Sequence, residues 1–193
     1  DRSLMTQNGY VLHEASYDSE IGEKTDLFDW WPKFAQKMDK VKRTKMQDEL
    51  LPEGEKNDIV VFKSCYPNNE FEGEGEGAGN PEGPELTLAN AKATMTKVRE
   101  ELAKHPDTLF IYMTSPPQAQ KVAKERAWKW VAKKVLGKPD AAAKHTEAAR
   151  IARKFTNWIV SKDGWLAGYE GKNIAVFNYY DVLTDAGMSN FSR

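Results

Sequence analysis

Residues Asp58–Ser64, DIVVFKS, decide the predicted fold, because Ile59 to Phe62 form an uninterrupted β-prone run. A short apolar run of this kind is typical of a strand that is covered on both faces of a parallel sheet. Two further runs of the same kind follow at Thr108–Thr114 (TLFIYMT) and Asn173–Tyr179 (NIAVFNY). A moderately alternating stretch at Gly9–Tyr17 (GYVLHEASY) predicts one more strand that precedes them.

Helical spacing of apolar residues predicts the elements between these strands. The predicted helices run from Thr25 or Asp26 to about Lys45, and over Leu86–Lys104, Gln118–Leu136 and Ala141–Lys162. Strands that alternate with helices indicate βαβ units, and right-handed crossovers then place helices on both faces of the sheet. We therefore expect a single α/β domain over residues 1–193, with three αβα layers and a mostly parallel, flavodoxin-like sheet.

Composition excludes some classes of function. Lys and Arg number 28 against 29 Asp and Glu, so the net charge of −1 provides no overall basic field, and no nucleic-acid partner is expected. No apolar run approaches the roughly 20 residues that a membrane-spanning helix needs. His13, His105 and His145 show no metal-ligand spacing, so neither a metal nor another cofactor is predicted.

Two segments have biased compositions. Glu72–Glu85 (EGEGEGAGNPEGPE) is predicted to be a flexible, solvated loop; calcium binding is the alternative, but the loop lacks the ordered ligand pattern of an EF-hand. Lys121–Lys138 contains seven basic residues and two Trp, and it is interpreted as a solvated helix face. A membrane-surface or nucleic-acid role is the alternative for that segment.

Four loops are expected to meet at one rim, because ligands of open parallel sheets bind beyond the carboxyl ends of the strands. They are Asp18–Asp26, Cys65–Glu85, Thr114–Gln118 and Tyr180–Asp185. Asn68 or Asn69 could donate an amide N–H to a developing oxyanion, although spacing alone favours a role for both in turn geometry only. Cys65 would need a nearby base to act as a nucleophile, and only His13 is predicted near this rim, so a buried, inert Cys65 is favoured.

Five segments together carry a resemblance to a known superfamily: HEASYDSEIGEKTD at 13–26, DWWPKF at 29–34, VVFKSCYPNN at 60–69, LFIYMTSPP at 109–117 and NIAVFNYYDVL at 173–183. With these segments and their spacing, the chain resembles the SGNH/GDSL hydrolases, in particular little-characterised bacterial members. Such relatives often work outside the cytoplasm, and no residue of this sequence indicates the compartment.

The resemblance implies roles for particular residues. SGNH hydrolases combine a nucleophilic Ser, a Gly and an Asn that help to form the oxyanion hole, and a terminal Asp-x-x-His. Gly22 matches the Gly and Asn69 the Asn, with Asn68 as the fallback. The nucleophile and the base are not present in this sequence: Ser3 follows no buried strand, and Thr184 stands where the His would follow Asp181.

The resemblance further implies a serine ester hydrolase that acts on a small-molecule, lipid or glycan O-acyl ester, and a sequence that is cut at both ends. In the flavodoxin-like order 2-1-3-4-5 the first strand is central. We therefore expect Gly9–Tyr17 and Asp58–Ser64 not to pair directly, with a further segment or second chain in the central strand position. A non-catalytic binding or structural protein on an SGNH-like scaffold is the alternative.

Overall fold

The computed structural model describes residues 2–120 and 141–192, and a three-stranded parallel sheet is its central feature there. The first two strands along the chain form an antiparallel hairpin that the sequence did not predict, with β1 at Thr44–Met46 and β2 at Glu49–Leu50. The parallel strands follow in the spatial order β3-β4-β5, with β3 at Ile59–Phe62, β4 at Leu109–Met113 and β5 at Ile174–Phe177. The α/β class predicted from these three runs is confirmed.

The described helices are α1 at Arg2–Gln7, a 3-10 turn at Leu27–Asp29, α2 at Trp30–Arg43, α3 at Leu88–Leu102, α4 at Ala141–Val160 and α5 at Tyr179–Leu183. Of these, α2 with its preceding turn, α3 and α4 lie within a few residues of the predicted bounds, whereas α5 lies where the loop Tyr180–Asp185 was predicted. The predicted helix at Gln118–Leu136 and the basic stretch Lys121–Lys138 fall on residues 121–140, outside the described residues.

One face of the sheet forms the core. Register places Phe110 beside Val60 and Ile174, and Tyr112 beside Phe62 and Val176, so these side chains share a face. Aromatic rings from the helix layer pack on it, because Phe34 of α2 contacts both Phe62 and Phe110 at ring-centroid distances of 4.9 and 6.1 Å. The buried cluster continues into α3 and α4 through Met95, Leu102, Ile151 and Phe155.

The opposite face of the sheet is apolar and more exposed. Ile59, Val61 and Phe177 are 41%, 54% and 47% exposed, and Ile111 and Met113 between them are half-buried. Within residues 2–120 and 141–192 the core helices thus pack on one face only. The three-layer, flavodoxin-like arrangement is not observed there and stays a prediction.

The predicted strand at Gly9–Tyr17 is wrong. Among the described residues, this segment makes one isolated β-bridge, between Glu14 and Met46. The Glu14 N–H donates to Lys45 O, and the Gln47 N–H donates to Glu14 O. The alternation does not produce a buried face, since Val11 is 80% exposed and Leu12 is only half-buried. In the described part of the chain, β3 pairs with β4 alone, so Gly9–Tyr17 does not pair with β3.

The Gly/Glu loop 72–85 packs against the first turn of α3. The carbonyls of Gly73 and Glu74 accept from the N–H groups of Leu88 and Ala89, at 3.0 and 2.9 Å. They thereby satisfy donors that a helix leaves free at its start. Thr87 supplies the side-chain cap by accepting from the Asn90 N–H. The loop is therefore joined to the helix layer, and its mobility stays a prediction.

Candidate functional site

Asn68 joins the turn that follows β3 to the loop that precedes α2. The 3-10 turn Tyr66–Asn69 begins just beyond β3. From it, the Asn68 Oδ1 accepts from the Leu27 N–H at 2.6 Å, and its Nδ2 donates to Asp26 Oδ1 at 2.7 Å. Both functions of the carboxamide are thus used, and the loop 18–26 is held beside the carboxyl end of β3.

Asn69 joins the same turn to the segment that follows β4. Its side chain is 2% exposed, and Nδ2 donates to the carbonyls of Ser115 and Pro116 at 3.2 and 2.8 Å. The segment after β5 is tied in next, because the Tyr180 N–H donates to Thr114 Oγ1 at 2.9 Å. The four loops that the sequence predicts at one rim are therefore connected to one another there.

Gly22 is buried within the loop 18–26, and only glycine fits at its position. A Cβ there would lie 1.9 Å from Ser16 O. Its N–H donates to Ser19 Oγ at 3.0 Å, and that hydroxyl donates on to Ser16 O at 2.7 Å. The loop reaches the turn after β3 through Asn68, whereas the Asn69 amide faces the segment after β4. The N–H groups of both Gly22 and Asn69 are engaged within the protein, and the oxyanion role of Gly22, Asn69 and Asn68 stays a prediction.

Lys33 is a residue of this rim that the sequence analysis missed. Its Nζ donates to Ile21 O at 2.7 Å and to Glu23 O at 2.6 Å, and it lies 4.8 Å from the centroid of the Trp30 ring. Burial lowers the pKa of Lys33 to about 8, partly opposed by the nearby carboxylate of Asp29. The signal in the sequence is the position of Lys33 beside Phe34 on the apolar face of α2, three residues after Trp30.

In the part of the chain that the structure describes, the hydroxyl of Ser64 and the thiol of Cys65 bond to Trp30 and Tyr17, neither of which is a histidine or carboxylate base. Ser64 is fully buried, and its Oγ accepts from the Trp30 indole N–H at 2.9 Å. Cys65 Sγ lies 3.3 Å from Tyr17 Oη, and this hydrogen bond raises the pKa of Tyr17. His13, the base considered for Cys65, instead lies 2.6 Å from Asn57 Oδ1, before the start of β3. Cys65 is thus not beside the base considered for it, but it is only half-buried, against the expectation of a buried cysteine, and its inertness stays a prediction.

The Asp181-x-x-Thr184 segment is held by an arginine. Arg153 of α4 pairs with Asp181, donates to Thr184 Oγ1 at 2.7 Å and lies 4.4 Å from the centroid of the Tyr180 ring. It also donates to Ser189 O at 2.7 Å. The carboxylate of Asp181 is therefore part of an ion pair that fixes α5 and the following chain to α4.

A cavity of about 640 Å³ opens at the other end of the sheet, before β4 and β5. Thr108, Leu109, Tyr169, Lys172 and Asn173 are among its lining residues. Asp107, at its edge, is paired with Lys42 and Lys56, which hold the pKa of its carboxyl below the usual range. This cavity is separate from the four loops at the carboxyl ends of the strands.

Within residues 2–120 and 141–192, no group of three or more His, Cys, Asp or Glu side chains is arranged to hold a metal ion. None of the helices described there has both the length and the apolar composition that crossing a membrane requires. No protein-family model matches the chain, no curated protein matches its sequence, and no solved structure matches its fold.

Proposed function

We propose that this chain is the larger part of an SGNH-type serine ester hydrolase, acting on an O-acyl ester of a small molecule, a lipid or a glycan. The observation that supports the proposal is the junction made by Asn68 and Asn69. These adjacent carboxamides connect the loop 18–26 to the segment after β4, and both regions carry the resemblance.

In the proposed reaction, a Ser from outside this sequence attacks the ester carbonyl. The His of an Asp-His pair, also from outside this sequence, accepts the Ser proton and then donates it to the departing alcohol, and water releases the acyl group in the same way. Gly22 and Asn69 donate N–H groups to the oxyanion of the tetrahedral intermediate, with Asn68 as the substitute for Asn69. To serve in this way, the Gly22 N–H would exchange its bond to Ser19 Oγ for the oxyanion, and Asn69 would give up at least one carbonyl acceptor.

The proposed fold has a third layer and a further strand beside β3. The apolar face that carries Val61 and Phe177 would be covered by that layer, and the added strand would pair with the edge of β3 that has no partner among residues 2–120 and 141–192. A segment of the same protein or a second chain would supply them. An unpaired apolar strand edge is otherwise a site for aggregation.

The experiment compares the 193-residue chain with the product of the complete open reading frame. The chain alone should not hydrolyse p-nitrophenyl acetate above background, because without nucleophile and base only weak residual catalysis remains. A longer product with an upstream Ser block and a downstream Asp-x-x-His should hydrolyse the ester and react with a fluorophosphonate. In that product, Asn69→Ala should lower kcat by roughly 10²–10³-fold.

Two results would contradict the hydrolase. One is saturable ester hydrolysis by the 193-residue chain alone, which would direct attention to Ser3 or Cys65. The other is a complete product that carries the Ser block but neither turns over esters nor reacts with the fluorophosphonate. Asn8→Ala is the matched control for Asn69→Ala, because Asn8 is exposed and bonds only within the first helix region, to Leu4 O.

A non-catalytic binding or structural protein on the same scaffold is the second candidate. The observation that favours it is the engagement of both proposed donors: Gly22 N–H bonds to Ser19, and the Asn69 amide bonds to two carbonyls. An open reading frame that lacks the Ser block and the Asp-x-x-His would support this candidate over the hydrolase.

A further inference from the structure

Lys33 holds the two carbonyl groups on either side of Gly22. Its ammonium donates to Ile21 O at 2.7 Å and to Glu23 O at 2.6 Å, and the residue is 7% exposed. A solvated lysine would keep its strongly hydrated ammonium in water. Here two backbone carbonyls and the face of the Trp30 ring replace that water.

Because the Ile21–Gly22 peptide is planar, the hydrogen bond from Lys33 to Ile21 O also fixes the direction of the Gly22 N–H. In a planar trans peptide, the N–H points away from the carbonyl of the same unit. Because Ile21 O is bound to Lys33, the N–H of Gly22 is directed away from Lys33, and there it meets Ser19 Oγ at 3.0 Å. The Glu23–Lys24 peptide is held in the same manner through Glu23 O.

We propose that Lys33 is a positioning residue that fixes the direction of the Gly22 N–H and polarises it through the intervening peptide. A positive charge at the carbonyl oxygen draws electron density toward that oxygen and makes the N–H of the same peptide a stronger donor. This inference rests on the proposed function for its catalytic meaning, since Gly22 is the proposed oxyanion donor. The contact between the Lys33 ammonium and the Ile21–Gly22 peptide is present in the 193-residue chain and does not depend on catalysis.

The charges around Lys33 come from its own helix region and from the loop it holds. Asp29, one turn earlier, favours the ammonium, and Lys37, one turn later, opposes it. Lys37 and Lys40 are paired with Glu20 at 3.1 and 2.6 Å. The side chains of Glu23 and Lys24 belong to exposed residues of the same loop, and Asp26 is bonded to Asn68.

The test is a carbon-detected NMR titration of the 193-residue chain between pH 6 and 10.5, using spectra that correlate each carbonyl carbon with the next nitrogen. The Ile21–Gly22 and Glu23–Lys24 signals should both shift with a common midpoint near pH 8. The Ala167–Gly168 signal is the matched control. Ala167 O is also bound to a cationic side chain, that of Arg99 at 3.3 Å, and guanidinium groups do not lose a proton in proteins.

Two variants show whether Lys33 causes the shift. In Lys33→Met the titration near pH 8 should disappear from both signals. In Lys33→Arg it should also disappear, but with both signals fixed near their low-pH positions, because the cation is retained. A wild-type chain whose two signals do not move around pH 8, or a midpoint that persists in Lys33→Met, would overturn the proposal.

The wild-type titration and Lys33→Arg remain decisive if Lys33→Met does not fold. None of these spectra depends on ester hydrolysis. Failure of the coupling is therefore distinguishable from failure of the proposed function, which is measured by turnover and fluorophosphonate labelling.

Discussion

The carboxamide of Asn68 shows how one side chain can hold a loop to a sheet. It accepts from the backbone of Leu27, which is 1% exposed, so water cannot easily replace this partner; it also donates to Asp26, an exposed residue. A buried N–H that loses its acceptor contributes an unfavourable desolvation term of about 1–3 kcal/mol. Asn68 is therefore important for stability whether or not the rim is catalytic.

We predict that Asn68→Ala lowers the free energy of unfolding by about 1–3 kcal/mol, because the Leu27 N–H is left buried without an acceptor. The measurement is urea denaturation followed by tryptophan fluorescence. Asn8→Ala is the control, since exposed substitutions of this kind usually change stability by less than about 0.5 kcal/mol. Equal losses in the two variants would show that the bond to Leu27 contributes nothing specific.

At the residue scale, the sequence identified the turn but not the direction of its side chains. Pro67 followed by Asn68 and Asn69 predicts a turn from composition alone. Which carboxamide faces the loop 18–26 and which faces Ser115 depends on contacts between residues more than 40 positions apart. Lys33 was missed for a different reason: its acceptors, Ile21 O and Glu23 O, are only 12 and 10 positions away, but they are backbone carbonyls, which every residue carries.

At the element scale, glycine content alone did not determine the behaviour of the loop 72–85. Gly75, Gly77 and Gly79 have positive φ angles of 74°, 56° and 76°, so the loop uses glycines where side chains are unfavourable. Gly79 also approaches α3 closely, since a Cβ there would lie 2.2 Å from Ala89 O. Nothing lies within 4 Å of the corresponding position at Gly77.

We predict that Gly79→Ala is more destabilising than Gly77→Ala. Both substitutions place a side chain in the left-handed region, which costs about 1–2 kcal/mol. Gly79→Ala adds a collision with the first turn of α3, and such overpacking costs a further ~1–3 kcal/mol. Chemical denaturation of the two variants gives the comparison. If they lose the same stability, the loop does not pack on α3 as described.

The strands differ in how far their sequences predict them. Ile59–Phe62, Leu109–Met113 and Ile174–Phe177 were predictable because continuous β-branched and aromatic residues favour a sheet over a helix of that length. Gly9–Tyr17 was not, because weak alternation specifies a strand only when a core is available to cover one face. The hairpin β1–β2 was missed because strands of three and two residues leave almost no pattern.

At the scale of the whole molecule, we expect substitutions on the two faces of the sheet to change the free energy of unfolding by very different amounts. In the 193-residue chain, Val61→Lys should change the free energy of unfolding by no more than about 0.5 kcal/mol, since Val61 is 54% exposed. Phe110→Ala on the core face should cost about 3–5 kcal/mol, because Phe110 is fully buried. In a longer product with the proposed third layer, Val61→Lys should become severely destabilising. A mild effect there too would contradict the added layer.

Alkaline pH should act on the whole fold through Lys33 and two buried tyrosines, in opposite directions. The pKa of Lys33 falls on folding from 10.5 to about 8, so between these values the unfolded chain binds the extra proton and stability rises with pH. Burial raises the pKa of Tyr112 and of Tyr180 from 10.0 to about 12. Above pH 10 the unfolded chain therefore loses protons first, and the tyrosines lower stability.

We accordingly predict a maximum in stability near pH 10, reached by a net rise from pH 8 of about 1–2 kcal/mol, since Lys33 is already half deprotonated in the folded chain at pH 8 and the tyrosines begin to oppose the rise before pH 10. Urea denaturation at constant ionic strength between pH 7 and 11.5 measures the profile. In Lys33→Arg the rise should vanish while the fall above pH 10 remains, because a guanidinium does not titrate here and the tyrosines are unchanged. A wild-type stability that declines steadily from pH 7 would show that the ammonium of Lys33 is not desolvated on folding, since its ionisation would then leave the folding equilibrium unchanged.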